Sequence, residues 1–331
     1  MMVIGIDVSK KKIDCAWLRD RERGKVKTRV FPNDPGGFKA LLAWARQNTG
    51  ASSEALHFVM EATGVYHEAL AYALHQAGSR VSVVNPAQLR RYAESFGRRS
   101  KTDKKDSVKL AWYGTTQQPQ LWQPEPEEIR VLKALVARLE AVEQDIQRET
   151  NRLEKAEINE VSAEVTRSIR TVLAHLEAEK QRLIKEIDQH LDQNPGLKND
   201  HKLLETIPGV GPVLSRYMTV MLRSRDFDCA SQAGAYVGLI PVHHQSGTSV
   251  RGRSSISKAG DNKVRAKLYM ATVVATQHNP RIRAFYERLL QKGKCKMVAL
   301  VAAMRKLVHI CYGVLKHQQP FQAQAPTGHC A

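Results

Sequence analysis

The first 113 residues alternate short β-rich runs with helical runs, and this alternation restricts the possible folds strongly. Three β-rich runs come first, joined by short connections, and they predict a meander of three strands at 2–9, 14–20 and 26–32. The spacing of apolar residues then predicts, in order, a helix at 35–48, a strand at 56–63, a helix at 66–76, a strand at 81–86 and a helix at 103–113. The order β-β-β-α-β-α-β-α predicts a mixed-sheet α/β domain. It fits the ribonuclease H-like arrangement, in which the first strand, the fourth strand and a late helix meet at one edge.

A proline-rich stretch at 119–128 ends this domain, and two long apolar stripes follow it. The stripes run from Leu132 to Leu153 and from Ile169 to Ile187, in steps of three and four residues with charged residues between them. This spacing predicts an antiparallel two-helix coiled-coil arm, although each stripe could instead be a packing helix of a globular core. Two further helical patterns, joined by Ile-Pro-Gly-Val-Gly, predict a helix-hairpin-helix-like element in a mainly helical last domain. The predicted domains are 1–124, 125–195 and 196–331.

The charge of the chain is large and unevenly placed. Lys and Arg number 51 against 33 Asp and Glu, a net charge of +18. The three predicted domains carry net charges of +9, −5 and +14. Such an excess predicts a polyanionic partner, and nucleic acid is favoured over an anionic membrane because no basic amphipathic helix with Trp or Phe on its apolar face is visible.

Several patterns bear on the location of the protein. The longest apolar run, 297–304, is far shorter than the ~18 residues of a membrane span. No basic-then-apolar leader precedes the first strand, and the five cysteines are scattered without a C-x-x-C pair. We therefore expect a cytoplasmic protein with reduced thiols, without a membrane span or a zinc site.

Four carboxylates are candidates for a metal site. Asp7 and Glu61 lie within or at the end of apolar strand runs, while Asp103 and Asp106 lie three apart on one predicted helix face. If they converge, pairs ~5 Å apart at an effective dielectric of ~20 repel by about 3 kcal/mol. Mg²⁺ or Mn²⁺ would relieve this repulsion and, as a metal pair, support phosphodiester chemistry. Taken singly, each carboxylate could also be a turn, edge or helix-start residue.

Basic residues and glycines form the candidate nucleic-acid contacts. Gly209 and Gly211 lie in the turn of the helix-hairpin-helix-like element and leave backbone N–H groups free at a helix start, which suits a phosphate. A turn that only packs two helices together would have the same sequence pattern. The Gly/Ser-rich composition of residues 246–255 predicts a flexible loop. Charged residues in such loops are often only solvated. The candidate basic contacts are Arg98, Arg99, Lys101, Lys104, Lys105, Arg251, Arg253 and Lys258.

Several motifs together resemble one protein family. IGIDVSK (4–10), MEATGVY (60–66), VVNP (83–86) and KTDKKD (101–106) are similar to the DEDD transposases of the insertion-sequence "one-ten" family and to Piv-type DNA invertases. The second half resembles the same family in LLETIPGVG (203–211), AGAYVGLIP (233–241), SGTSVRG (246–252), SKAG (257–260) and RKLVHICYGVLK (305–316).

The resemblance implies a RuvC-like domain in which Asp7, Glu61, Asp103 and Asp106 bind Mg²⁺. It also implies that Ser246 is a nucleophile that forms a phosphoserine bond to DNA until a freed 3′-hydroxyl displaces it. The implied partners are donor and target DNA, a non-coding bridge RNA that pairs with both, and further copies of the chain. Dimers and a tetrameric synaptic complex would form partly through the coiled coil.

Two other functions remain open at the level of the sequence. A RuvC-like metal-dependent nuclease would only hydrolyse DNA through the carboxylates and would leave Ser246 without a role. An architectural binder or repressor would use the basic C-terminal half and need no metal. The group that deprotonates Ser246 is also open, since His243, His244 and a metal are all candidates.

Overall fold

The structure is a computed structural model that describes residues 2–20, 22–95, 103–159, 162–242, 245–246, 250–251, 255–257 and 260–323. The chain forms two compact units, Met1–Pro124 and Glu125–Ala331. Each unit is described by itself below.

The first unit is built on one mixed five-stranded sheet with the order β3-β2-β1-β4-β5. Strands β1 to β3 pair antiparallel, whereas β4 pairs parallel to β1 and β5 parallel to β4. This order confirms the predicted ribonuclease H-like arrangement. The elements are β1 (Met2–Val8), β2 (Lys12–Asp20), β3 (Lys25–Pro32), α1 (Pro35–Thr49), a 3-10 turn (Ser53–Ala55), β4 (Leu56–Glu61), α2 (Glu68–Gln76), β5 (Arg80–Val84), α3 (Pro86–Ser95) and α4 (Asp103–Gln117).

The two faces of the sheet are covered by different helices, because strand side chains alternate between faces. Ile4, Ile6 and Phe58 belong to the large core that also contains residues of α1 and α2. Val3 and Val59, from the alternate positions, pack with Leu89 of α3 and Leu110 of α4. The central strands are therefore buried on both sides, which explains their nearly continuous apolar runs.

Helix α3 is an element that the sequence reasoning missed. Pro86 was interpreted as the end of a strand, but it is the first residue of α3. Asn85 precedes it, and its side-chain oxygen accepts a hydrogen bond from the backbone N–H of Ala87 at 2.8 Å. A capping Asn followed by Pro is a known helix-start pattern, so the signal was present in the sequence.

The second unit is mainly helical, as predicted, and a pair of long antiparallel helices begins it. Its helices are α5 (Glu127–Ile158), α6 (Ala163–Gln193), α7 (Pro195–Glu205), α8 (Pro212–Arg223), α9 (Ala230–Tyr236), α10 (Asn262–His278), α11 (Pro280–Gln291) and α12 (Lys296–His317). The described residues between α9 and α10 include four two-residue strands: β6 (Pro241–Val242), β7 (Gln245–Ser246), β8 (Val250–Arg251) and β9 (Ser255–Ile256).

Helices α5 and α6 pack along each other through Leu132, Leu139, Leu183 and Ile187. Their apolar cluster continues into Leu197 of α7, so the base of the helix pair is packed against the rest of the second unit. At 1.5 Å per residue, helices of 32 and 31 residues are each about 47 Å long.

Helix α12 is the central helix of the second unit. By length and composition alone it could cross a membrane. Its buried side chains, among them Leu307, Val308 and Cys311, instead form a core with α7, α8, α9 and α10. This packing is typical of the core helix of a folded domain.

Candidate active site

Asp7 and Glu61 occupy equivalent places on two neighbouring parallel strands. Ile6 is the register partner of Met60, so Asp7 and Glu61 are the next residues along β1 and β4. Gly5 and Val59 face α4, and Asp7 and Glu61 follow them by two residues on β1 and β4. Because strand side chains alternate between the two faces, Asp7 and Glu61 lie on the α4 face as well. Each is partly buried, and each makes polar contacts within the protein. The predicted convergence of these two carboxylates follows from the strand register.

Helix α4 lies directly against β1 at Gly5. A Cβ at this position would be 2.1 Å from the backbone oxygen of Ser107 and 2.2 Å from the backbone nitrogen of Ala111. Further along α4, a Cβ on Gly114 would be 2.8 Å from the side chain of Val3. Helix α4 therefore runs antiparallel to β1, and its first turn points toward the end of the strand that carries Asp7.

That first turn contains the other two predicted carboxylates. Asp103 is the first residue of α4, and Asp106 follows three residues later, next to Ser107. The Asp106 side chain is 17% exposed, and its Oδ1 accepts a hydrogen bond from Lys109 Nζ at 2.6 Å. An internal ammonium group thus already neutralises one of the predicted ligands. For Asp103 the description covers the backbone alone.

Asp14 is a further carboxylate at this edge, and sequence reasoning did not select it. It is the register partner of Asp7 on the neighbouring strand β2, so the two side chains lie on the same face. Asp14 is 5% exposed and forms an ion pair with Lys12 Nζ at 3.0 Å. Its signal in the sequence was the same as for Asp7, an acidic residue within an otherwise apolar strand.

The donor set fits a hard divalent cation. All of the carboxylates named above are oxygen donors, and Asp7, Glu61 and Asp106 are drawn toward one end of β1 by the strand register and by α4. Within the part of the chain that the structure describes, no three His, Cys, Asp or Glu side chains are already close enough to form a metal site. The side chain of Asp103 is not among the described side chains.

Ser246 lies in the second unit, in a segment predicted as a flexible loop. The structure instead shows a short hairpin, in which Ser246 pairs with Val250 and Gln245 with Arg251. A β-branched residue opposite Ser246 favours this pairing. For Ser246 and Arg251, as for Lys104 and Lys105 on α4, the description covers the backbone alone. The other candidates on this segment and before α4 lie outside the described residues: Arg98, Arg99, Lys101, His243, His244, Arg253 and Lys258.

The two glycines of the predicted helix-hairpin-helix-like element differ in their surroundings. Gly209 has a φ of +98°, and a Cβ there would be 2.6 Å from the Cβ of Ala275 on α10, so close packing accounts for this glycine. Gly211 is exposed, has open space around it and immediately precedes α8. Of the two, Gly211 has the backbone accessible to a phosphate, and both contacts stay predictions.

The first unit is thus a ribonuclease H-like sheet with carboxylates at the end of its central strands, and comparisons with known proteins identify the class of protein. A transposase family model matches residues 4–156, and a model described as "Transposase IS116/IS110/IS902 family" matches residues 201–287. The pilin gene-inverting proteins of Moraxella bovis and Moraxella lacunata are each 35% identical over 320 residues, which cover 96% of this chain and 97% of theirs.

Other matches are more distant. The "Insertion element IS110 uncharacterized 43.6 kDa protein" of Streptomyces coelicolor is 24% identical over 127 residues, 38% of this chain and 31% of that protein. The structure of Thermus thermophilus RuvC covers 37% of this chain and 100% of its own, at 15% identity and a TM-score of 0.28. On the matches to both halves of the chain and to the gene-inverting proteins, this protein belongs to the IS110 family of DEDD transposases and DNA invertases.

Proposed function

We propose that this protein is the transposase of an insertion sequence, and that it recombines donor and target DNA under the guidance of a bridge RNA. The reaction is a Mg²⁺-dependent, serine-mediated strand cleavage, followed by a transesterification that joins the strands. The observation that carries the proposal is the placement of Asp7, Glu61 and the first turn of α4 at one end of the central strands. Four carboxylates at such a site repel one another and so destabilise the folded protein, but they can bind the metal ions that metal-dependent DNA chemistry uses.

The chain's own residues would divide the work between its two units. Asp7, Glu61, Asp103 and Asp106 would hold Mg²⁺, or Mn²⁺ in its place, and Asp14 would lie beside them. When bound, the metal would supply positive charge to the phosphodiester and to the oxygen that attacks or leaves it. Lys109 would have to release Asp106 for that carboxylate to act as a ligand.

Ser246 would act as the nucleophile. Its Oγ would form a bond to phosphorus while the bond from phosphorus to the DNA 3′-oxygen breaks, which leaves a free 3′-hydroxyl and a phosphoserine. A second 3′-hydroxyl would then attack the phosphoserine, join the new strands and release Ser246. Because Ser246 and the carboxylates belong to different units, the reaction requires the two units, from one chain or from two, to meet on DNA.

The same proposal includes partners besides DNA. The net charge of +14 over 196–331 suits a polyanion and is compatible with both DNA and RNA. Assembly of several copies, partly through α5 and α6, would bring donor and target together. We place the reaction in the cytoplasm of a prokaryotic cell, at the nucleoid.

The test is a recombination assay with purified protein, RNA from the region beside the gene, donor DNA, target DNA and Mg²⁺. We expect joined product and a covalent protein–DNA adduct for the wild type. Asp7→Asn, Glu61→Gln and Ser246→Ala should each abolish both the joined product and the adduct. Glu22→Gln, an exposed carboxylate of the same unit, and Gln245→Ala, the neighbour of Ser246, are the matched controls and should keep both.

The outcomes separate the alternatives. Cleavage that needs the carboxylates but ignores Ser246 and the RNA would identify a metal-dependent nuclease and reject the serine mechanism. DNA binding that survives every substitution, without cleavage at any metal concentration, would identify an architectural binder.

A further inference from the structure

Two motifs of the second half, AGAYVGLIP and RKLVHICYGVLK, meet in the structure at a place to which no role has been attached. The first begins in the second half of α9 and the second forms most of α12, and these two helices pack against each other. A Cβ on Gly234 of α9 would be 3.4 Å from both Arg305 Cγ and His309 Nε2 of α12. A glycine at this position therefore leaves room for the side chains of Arg305 and His309 beside α9.

The neighbouring face of α12 carries a third basic residue, Lys306, which faces α11. Lys306 is half-buried, and burial lowers its pKa, with a further lowering from the positive charges of Arg281 and Arg288. These two arginines are seven residues apart and thus lie on the same side of α11. The positive charges of Arg305 and Lys306 likewise add to the effect of burial in lowering the pKa of His309.

Five basic residues therefore form one group, which we call the α11–α12 basic cluster: Arg281, Arg288, Arg305, Lys306 and His309. Arg305 Nε and His309 Nε2 are shielded from solvent and have no hydrogen-bond partner. Within the described residues, no member of the cluster forms an ion pair. The nearest pair on α11 joins two other residues, Arg283 and Glu287, at 3.6 Å.

The acidic residues of this part of the chain are used elsewhere. Residues 196–331 contain only six. Asp200 binds Arg223, Glu205 lies against His201, Glu287 binds Arg283, and Asp261 caps α10. The other two, Asp226 and Asp228, are exposed in the connection between α8 and α9. Three carboxylates of α5 and α6 are paired with cations outside the cluster, in the ion pairs Glu140–Lys263, Glu143–Lys267 and Asp188–Arg216.

We propose that the α11–α12 basic cluster is a binding site for the phosphate groups of a nucleic-acid backbone. Arg281, Arg305 and Lys306 are half-buried cations, and repulsion between neighbouring cations raises the free energy of the folded protein. A bound anion would reduce that cost. Seven residues of α11 span about 10 Å, so the cluster is longer than a single phosphate and suits a run of them. Phosphodiester groups of DNA and RNA share this chemistry. The inference rests on the proposed function for the class of ligand, and it adds the place where the ligand is held.

The test compares cluster variants with a variant of a paired cation on the same helix. Lys306→Gln, alone and combined with Arg281→Gln, is compared with Arg283→Gln, which removes one positive charge from an ion pair. Binding to a single-stranded DNA, a duplex DNA and a folded RNA of equal length is measured by fluorescence anisotropy over a range of salt concentrations, without divalent metal. We expect the double variant to bind at least one probe about tenfold more weakly and with a salt slope smaller by about two, and Arg283→Gln to bind like the wild type. The probe that loses affinity identifies whether DNA or RNA occupies the cluster.

Thermal unfolding separates a binding role from a structural role. Lys306→Met removes a half-buried cation from beside two arginines, so we expect it to raise the unfolding midpoint while it weakens binding. Equal binding of the double variant and Arg283→Gln to all three probes would overturn the proposal. A lower unfolding midpoint in both Lys306→Gln and Lys306→Met would also overturn it, since the cluster would then be structural. The binding measurement involves no catalysis. The cluster variants can therefore bind like the wild type while recombination is confirmed, and they can bind more weakly while recombination is not observed.

Discussion

At the scale of single residues, the candidate site is balanced by cations that the protein itself provides. Lys109 holds Asp106, and Lys12 holds Asp14, so two of the carboxylates near Asp7 are neutralised in the folded chain. Such internal pairs reduce the repulsion that the site would otherwise impose on folding. They also compete with any metal for the same oxygens.

This competition makes Lys109→Met informative. We expect the variant to bind Mn²⁺ about threefold more tightly or better, because Asp106 no longer has to exchange an ammonium group for the metal. Calorimetric titration of wild type and variant measures the change. Lys133→Met, which breaks the Lys133–Glu125 ion pair in the second unit, is the control and should not change Mn²⁺ affinity. Weaker Mn²⁺ binding by Lys109→Met would show that Lys109 helps to hold the site together.

A second residue-scale prediction concerns His57, which is 1% exposed on β4. Its Nε2 lies 2.8 Å from Ser82 Oγ, and burial together with the charge of Arg80 lowers its pKa to about 4. A lowered histidine pKa means that the folded state binds the proton less well than the unfolded state. Its contribution is therefore complete above the unfolded pKa of 6.5 and is lost as the pH falls toward 4.

We expect the free energy of unfolding of the first unit to fall by about 2–3 kcal/mol from this group between pH 7 and pH 4.5. His57→Gln should remove that part of the pH dependence, whereas the exposed His175→Gln should not. All four tryptophans lie within residues 1–124, so tryptophan fluorescence during urea unfolding reports on this unit alone. An unchanged pH dependence in His57→Gln would contradict the prediction.

At the scale of elements, the position of α4 depends on the absence of a side chain at Gly5. The helix backbone occupies the space that a Cβ would need, and backbone atoms cannot rotate away as a side chain can. This contact sets how far the first turn of α4 reaches past the end of β1. It therefore also sets where Asp103 and Asp106 lie relative to Asp7.

Gly5→Ala should push α4 away from the sheet. We expect the first unit to lose about 3 kcal/mol of stability and the protein to lose both Mn²⁺ binding and recombination. Gly313→Ala on α12, with open space around its Cβ, is the control and should be neutral or slightly stabilising. Chemical unfolding followed by tryptophan fluorescence, with Mn²⁺ titration beside it, makes the measurement. A Gly5→Ala protein with wild-type metal affinity would show that α4 is not held by this contact.

At the scale of the whole molecule, the far end of the α5–α6 pair exposes apolar side chains. Ile158 is 72% exposed, Val165 46% and Val172 42%, whereas the base of the pair is packed. Exposed apolar residues on a long helix pair suit contact with a further copy of the chain. This supports the proposed assembly through the coiled coil.

The double variant Ile158→Lys with Val165→Lys should weaken self-association and shift the protein toward monomer. Gln181→Lys, which adds a charge on the exposed side of α6 without removing an apolar side chain, is the control. Light scattering after size-exclusion chromatography, with and without nucleic acid, measures the mass. Oligomers of unchanged mass in the double variant would exclude this end of the arm as an interface.

Local patterns were sufficient to predict most elements, and they selected the candidate carboxylates, whose role as metal ligands stays a prediction. β-rich content and short apolar runs predicted all five strands of the main sheet, and the motifs selected Asp7, Glu61, Asp103 and Asp106 as candidates. Helix α3 was missed because Pro86 was interpreted as a stop, although Asn85 and Pro86 together start a helix. The pairing of Ser246 with Val250 was missed because the Gly and Ser content around it is typical of loops.

Features that depend on distant contacts required the folded chain. Asp14 joins the acidic edge only through its register with Asp7 on the neighbouring strand. The basic cluster needs α9, α11 and α12 packed together, and Gly209 proves to be a packing residue only when Ala275 of α10 lies against it. Sequence periodicity reports which side of an element is buried, because burial acts on each residue separately. Which elements become neighbours, and therefore which charges meet, is decided by packing between residues far apart in the chain.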